Sequence, residues 1–197
     1  MAHPYSPKLA LAFKAFDHAN RQDPNTVLFA GVKWPAELLY GRRMTGSLNQ
    51  FFPEQSEVLQ LATRSQHLCR WQIPRSDYPM DRKGYHAWRN RLKVFHGEKA
   101  GEILKEIGYE QDVVNRVKAL LSKKSLKKDP ETQTLEDVAC LVFLQFYFEP
   151  FAAKHDEEKL INILQKTWRK MSAEGQAYAQ RLPFPPPLTA ILTKALS

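Results

Sequence analysis

Cysteine and glycine are scarce in this chain, and each shortage excludes a class of chemistry. The two cysteines, Cys69 and Cys140, lie far apart and share no metal-type spacing, which excludes zinc ribbons and disulfide frameworks. Each sits in an apolar stretch, Cys140 inside Val138-Ala139-Cys140-Leu141-Val142. Two buried free thiols and a reducing compartment are therefore expected. The eight glycines are dispersed, so neither a phosphate-cradling glycine loop nor a nucleophile elbow is present. The longest apolar run, Val138 to Phe148, is too short to span a membrane and carries Gln145. The first residues, Met1-Ala2-His3-Pro4-Tyr5, lack the charged-then-apolar layout of a secretion signal. The expected location is the cytoplasm or an organelle matrix. Strand-type alternation, internal repeats and domain linkers are absent as well.

What the chain does have is positive charge and helical periodicity. Its 29 Lys and Arg against 21 Asp and Glu give a formal charge of +8, which favours anionic partners without naming them. Arg64, Arg70, Arg75, Arg82, Arg89, Arg91 and Lys93 are interleaved with Trp71, Tyr78, Tyr85 and Trp88. The run Lys123-Lys124-Ser125-Leu126-Lys127-Lys128 has no aromatics and reads as a solvated segment. Apolar residues recur at helical spacing nearly throughout, predicting an all-α helical bundle as one domain over residues 1–197. Helices are predicted from Leu9 to Asn20, from Pro35 to Pro53, from Glu54 to Cys69, and from Tyr85 to Ile107. Gly108 ends the last of these. Shorter ones are predicted over Glu110 to Leu121, from Thr134 onward and from Asp156 onward. The stretch after Val138 is apolar on every side, so it should form the buried centre. Trp71 to Met80 is a proline-bearing loop, and Leu182 to Leu188 a polyproline-like strap before a last short helix.

Any chemistry must then come from histidine, carboxylate and arginine on helices. His96 faces inward with Arg89 on the same side; it is either a satisfied core histidine or part of a site whose arginine needs an anion. His67, at the end of its helix, is either an exposed residue complementing the helix dipole or a ligand. Asp137 either closes a capping box that begins at Thr134 or meets the two histidines at the mouth of the core helix. In His155-Asp156, the aspartate reads as a helix cap.

Several segments carry a family likeness: Glu37-Leu38-Leu39-Tyr40-Gly41-Arg42-Arg43-Met44, Gln66-His67, Trp71-Gln72-Ile73-Pro74-Arg75, Phe95-His96-Gly97-Glu98-Lys99-Ala100-Gly101, Leu135 to Leu144, and Lys154 to Leu160. Over nearly its whole length the chain resembles the domain-of-unknown-function 4202 family, whose name supplies no activity. It is more weakly similar to the HD superfamily of metal-dependent phosphohydrolases. That resemblance implies an HD-like helical bundle and a divalent metal held by His67, His96 and Asp137. The position of the first histidine falls near Glu37 or Tyr40, and Glu37 there would complete the ligand set. The chain departs from the pattern in having Leu68 after His67 where the superfamily has aspartate.

The function expected on this basis is hydrolysis of a nucleotide or another phosphorylated small molecule. Asp137 and His96 would act in catalysis, the metal would activate water, and Arg42, Arg70, Arg75 and Arg89 would bind phosphate. Trp71 and Tyr78 would form the rim. The alternative is a non-catalytic RNA or nucleotide binder, suited by the mixture of arginines and aromatics.

Overall fold

Caps and prolines punctuate the chain into helices largely where periodicity predicts them. The computed structural model describes residues 5–196. Helix α1 (Pro7–Asn20) begins with Pro7 in its first turn, and Ser6 Oγ accepts from Leu9 N. Two short strands come next, β1 (Thr26–Phe29) and β2 (Val32–Pro35), paired antiparallel. They lead into α2 (Ala36–Phe51), α3 (Glu57–Ser65) and the long α4 (Arg82–Glu106). Then come α5 (Gln111–Ser122) and α6 (Pro130–Val142), with a wide π-type turn, Phe143–Tyr147, after α6. The chain continues through α7 (Phe148–Ala152), α8 (Glu157–Lys170), α9 (Ala173–Ala179) and α10 (Pro186–Leu196). One buried apolar cluster runs from Leu9 to Ala195 and includes Phe16, Met44, Leu61, Leu104, Val138 and Leu141. The all-α prediction holds, with α6 and the turn after it at the centre. Val138, Leu141 and Val142 have no exposed surface, and Phe148 has 1%.

Some predicted details are corrected. The hairpin went unread because its residues are mostly exposed on both faces, so no in–out alternation marks it. Its tip is Ala30-Gly31, both at positive φ (51° and 76°), the geometry of a tight hairpin turn. Helix α6 begins at Pro130 rather than at Thr134, because Asp129 caps it through Glu131 N. Asp137 is therefore interior to the helix and closes no capping box. The predicted strap is shortened, since α10 already starts at Pro186. Gly108 ends α4 at φ +87°, and Asp156 caps α8 through Lys159 N at 2.8 Å, both as read from the sequence.

Candidate active site

A cavity of about 390 Å³ opens where α2 begins and α3 ends, with α4, α6, α8 and the π-type turn around it. Its floor is built on Glu37 in the first turn of α2. The base of the β1–β2 hairpin closes so that Ala36 N donates to Asn25 O, and Asp23 accepts from Glu37 N at 2.9 Å. The backbone of Glu37 is thereby fixed. Its carboxylate Oε2 lies 3.1 Å from His67 Nδ1 and its Oε1 lies 3.9 Å from Arg70 Nε. Burial pushes the Glu37 carboxyl up to about 7, with Arg70 and His96 pulling it the other way.

The two histidines come together, as expected. Their ring centroids are 5.8 Å apart. His96 Nδ1–H donates to the Leu68 carbonyl at 2.8 Å, which leaves Nε2 buried without a partner. Burial holds the His96 imidazole down to about 3, and burial together with Arg70 and Arg89 holds His67 well below its usual range. Both rings are therefore neutral at pH 7. With Nδ1–H of His67 given to Glu37, its Nε2 accepts from Arg70 Nη1, 3.2 Å away.

Asp137 does not join them. It accepts from Ser172 N at 2.8 Å, Ser172 Oγ at 2.5 Å and Gln133 Nε2 at 2.9 Å. Gly175 leaves room for it, because a Cβ there would stand 2.7 Å from the Asp137 carboxyl carbon. Asp137 thus holds the start of α9 against α6. The preceding residue, Glu136, faces the cavity instead, about 100° around the helix. Lys123 donates to it at 2.6 Å and Lys170 lies 3.6 Å away. Burial alone would raise the Glu136 carboxyl, but these lysines bring it down to about 2.

The residues present do not fit the metal that the HD resemblance implies. Both nitrogens of His67 are engaged, a guanidinium stands beside it, and the Asp137 carboxylate is spent on α9. Among the described residues no group of three or more His, Cys, Asp or Glu is arranged to hold an ion.

The predicted arginines divide. Arg70 and Arg89 line the cavity. Arg42 lies apart, pairing with Asp17 at 3.2 Å and stacking on Trp34. Arg75 is spent on its own loop, donating to the carbonyls of Tyr78, Pro79 and Asp81. Trp71 borders a separate hollow with Arg70, Arg75 and Trp88 and does not rim the main cavity, and neither does Tyr78. The residues that sequence reasoning missed are Lys123, Glu136, Lys170 and Tyr147. Lys123 was hidden in its lysine run. It ends α5 at φ 52°, a left-handed turn that sends its side chain inward.

The site is thus a cation-walled cavity with a buried acid–base pair at its floor, in an all-helical domain. The chain belongs to the family described as "Domain of unknown function (DUF4202)", whose model matches residues 10–192. No curated protein and no solved structure matches it.

Proposed function

We propose that the chain is a hydrolase of phosphorylated small molecules in which Glu37 is the general base. One observation carries this reading: a buried carboxyl poised at about 7 and hydrogen-bonded to a neutral histidine, beneath Arg70, Arg89 and Lys123. A base poised near the working pH combines adequate ionisation with adequate proton affinity. Arg70, through two N–H groups, and Lys123 neutralise the phosphoryl oxygens. Glu37 takes a proton from a water molecule as the water oxygen bonds to phosphorus. The bond from phosphorus to the ester oxygen breaks, and that oxygen is protonated from solvent at the mouth, where Lys170 is exposed. His67 keeps the Glu37 carboxylate in place. Tyr147, Phe143 and Val27 supply a less polar wall for the rest of the molecule.

The arrangement favours a small molecule over RNA. The cations converge inside a concave site, whereas Trp88 is buried, with Nε1 donating to the Ile73 carbonyl, and Arg64 is paired with Asp17 at 2.8 Å. Little of the arginine–aromatic mixture is left free for stacking along a strand.

The test is release of inorganic phosphate from a panel of phosphate esters, alongside calorimetric binding of inorganic phosphate. Glu37→Gln should bind phosphate and lose turnover, and wild-type kcat/KM should rise with pH through about 7. Release that survives Glu37→Gln removes the assigned base. Stoichiometric transition metal in purified active protein would instead support the metal-dependent mechanism that the HD resemblance implies.

A further inference from the structure

Resting on the reading of this cavity as a phosphate site, we infer that it has a second anion subsite, formed by Arg89, Lys93 and His96, so that its ligand carries two linked phosphoryl groups.

The three residues recur at spacings of four and three along α4 and share one face of it. They line a small recess of about 40 Å³ beside the main cavity, with which it shares Gln66, His67, Arg70, Arg89 and Lys123 as wall residues. That volume exceeds what one water needs and is of the order of a single phosphoryl group. Leu92 and Leu121 form the apolar part of its wall.

Charge accounting leads to the same place. Arg70, Arg89, Lys93, Lys123 and Lys170 surround the two adjoining spaces, against only Glu37 and Glu136. Lys123 and Lys170 answer Glu136, and Arg70 lies beside Glu37. Arg89 and Lys93 have no hydrogen-bond or ion-pair partner among the described residues, although both are half-buried. One phosphate monoester brings about −1.5 to −2 at pH 7. With both carboxylates ionised, a positive charge of about 1 then remains beside Arg89 and Lys93 for a further anionic group.

Burial, together with the like charges of Arg89 and Lys123, pushes the Lys93 ammonium below its ordinary value. An anion in the recess relieves that repulsion. The unpartnered Nε2 of His96, in a residue only 4% exposed, is an acceptor in the same wall. It suits a P–OH group or a water bridging to one. A monophosphate would leave this acceptor and the surplus positive charge beside it unanswered; a diphosphate answers both.

Titration calorimetry with inorganic phosphate and pyrophosphate, in magnesium-free buffer containing a chelator, tests the inference. Wild type should bind pyrophosphate at least about tenfold more tightly than phosphate, since one charge-assisted hydrogen bond is worth about that much. Lys93→Met and Arg89→Gln should each bring the ratio of the two affinities towards one. His96 is left intact because its removal opens the core. Phosphate binding with no preference for pyrophosphate, or a preference untouched by both variants, overturns the second subsite and leaves the hydrolase reading standing. If neither anion binds, the underlying phosphate site fails as well.

Discussion

Tyr40 lies flat on His67. Their ring centroids are 3.9 Å apart and the planes only 11° from parallel, while Tyr40 Oη accepts from Gln66 Nε2 at 3.1 Å. The neutral imidazole is thus held from its face by Tyr40 and from its edge by Glu37 and Arg70. Removing the stack by Tyr40→Ala should cost about 2–3 kcal/mol, below the ~3–5 kcal/mol of a fully buried aromatic because Tyr40 is half-buried at the cavity wall. Tyr40→Phe keeps the stack and loses one hydrogen bond, costing about 1 kcal/mol. Urea unfolding of both variants checks this; equal losses would mean that the hydroxyl, not the ring, does the holding.

Arg75 should behave as a structural residue. Its guanidinium ties three carbonyls of the loop that leads into α4. Arg75→Ala should lower stability by roughly 1–3 kcal/mol and leave phosphate affinity within about twofold, a factor worth under about 0.5 kcal/mol. Lys123→Met should do more to binding, weakening phosphate by at least about tenfold. A loss of phosphate binding in Arg75→Ala with no change in melting would reverse the two assignments.

Adjacent acids on α6 should separate in the same way. Asp137→Ala leaves Ser172 N and Oγ without their acceptor, while Gln133 Nε2 keeps the Lys170 carbonyl, and should cost about 2–4 kcal/mol. Its folded fraction should keep wild-type phosphate affinity. Thermal melts paired with calorimetry below the melting temperature decide the matter, and a stable Asp137→Ala protein that no longer binds phosphate would return Asp137 to the site.

Stability should carry the signature of Glu37. Its folded value of about 7 lies above the ordinary 4.5, so the native state holds this proton longer than the unfolded chain does. The contribution is fully present below about 4.5 and is lost as pH rises through about 7. It amounts to on the order of 3 kcal/mol, given about 1.36 kcal/mol per unit. Glu37→Gln has no such titration, so it should gain on wild type between those pH values and hold the gain above them. Urea midpoints measured across that range would run parallel in the two proteins if Glu37 were freely hydrated.

Most of the helical frame could be read from apolar spacing, because it is built from amphipathic segments with clear stops such as Gly108 and Asp156. The hairpin could not, since four-residue strands exposed on both faces leave no burial pattern. In the site, His96 and Arg89 were legible as polar residues on an inward face. His67 and Arg70 lay off the apolar stripe at a helix end, and Glu37 came only through the HD resemblance. Glu136 and Asp137 were not separable in sequence. Neighbouring acids in a helix point about 100° apart, and which of them meets α9 depends on where α6 starts. Lys123 was concealed by its charged neighbours, and only the left-handed turn at the end of α5 distinguishes it.

The π-type turn at Phe143–Tyr147 has a bearing on how this chain tolerates length changes. Such a turn holds one residue more than the α-helical path it interrupts. Deleting a single residue there would draw the turn into regular α-helix, leaving α7 in register with α6 but removing the bulged backbone that presents Phe143 and Tyr147 to the cavity. Tyr147, which now faces the cavity and stacks with Arg43 at 5.1 Å, would be carried off the wall. Substitutions in this segment can be repacked one at a time, but a one-residue gap would remake the far side of the pocket in a single step.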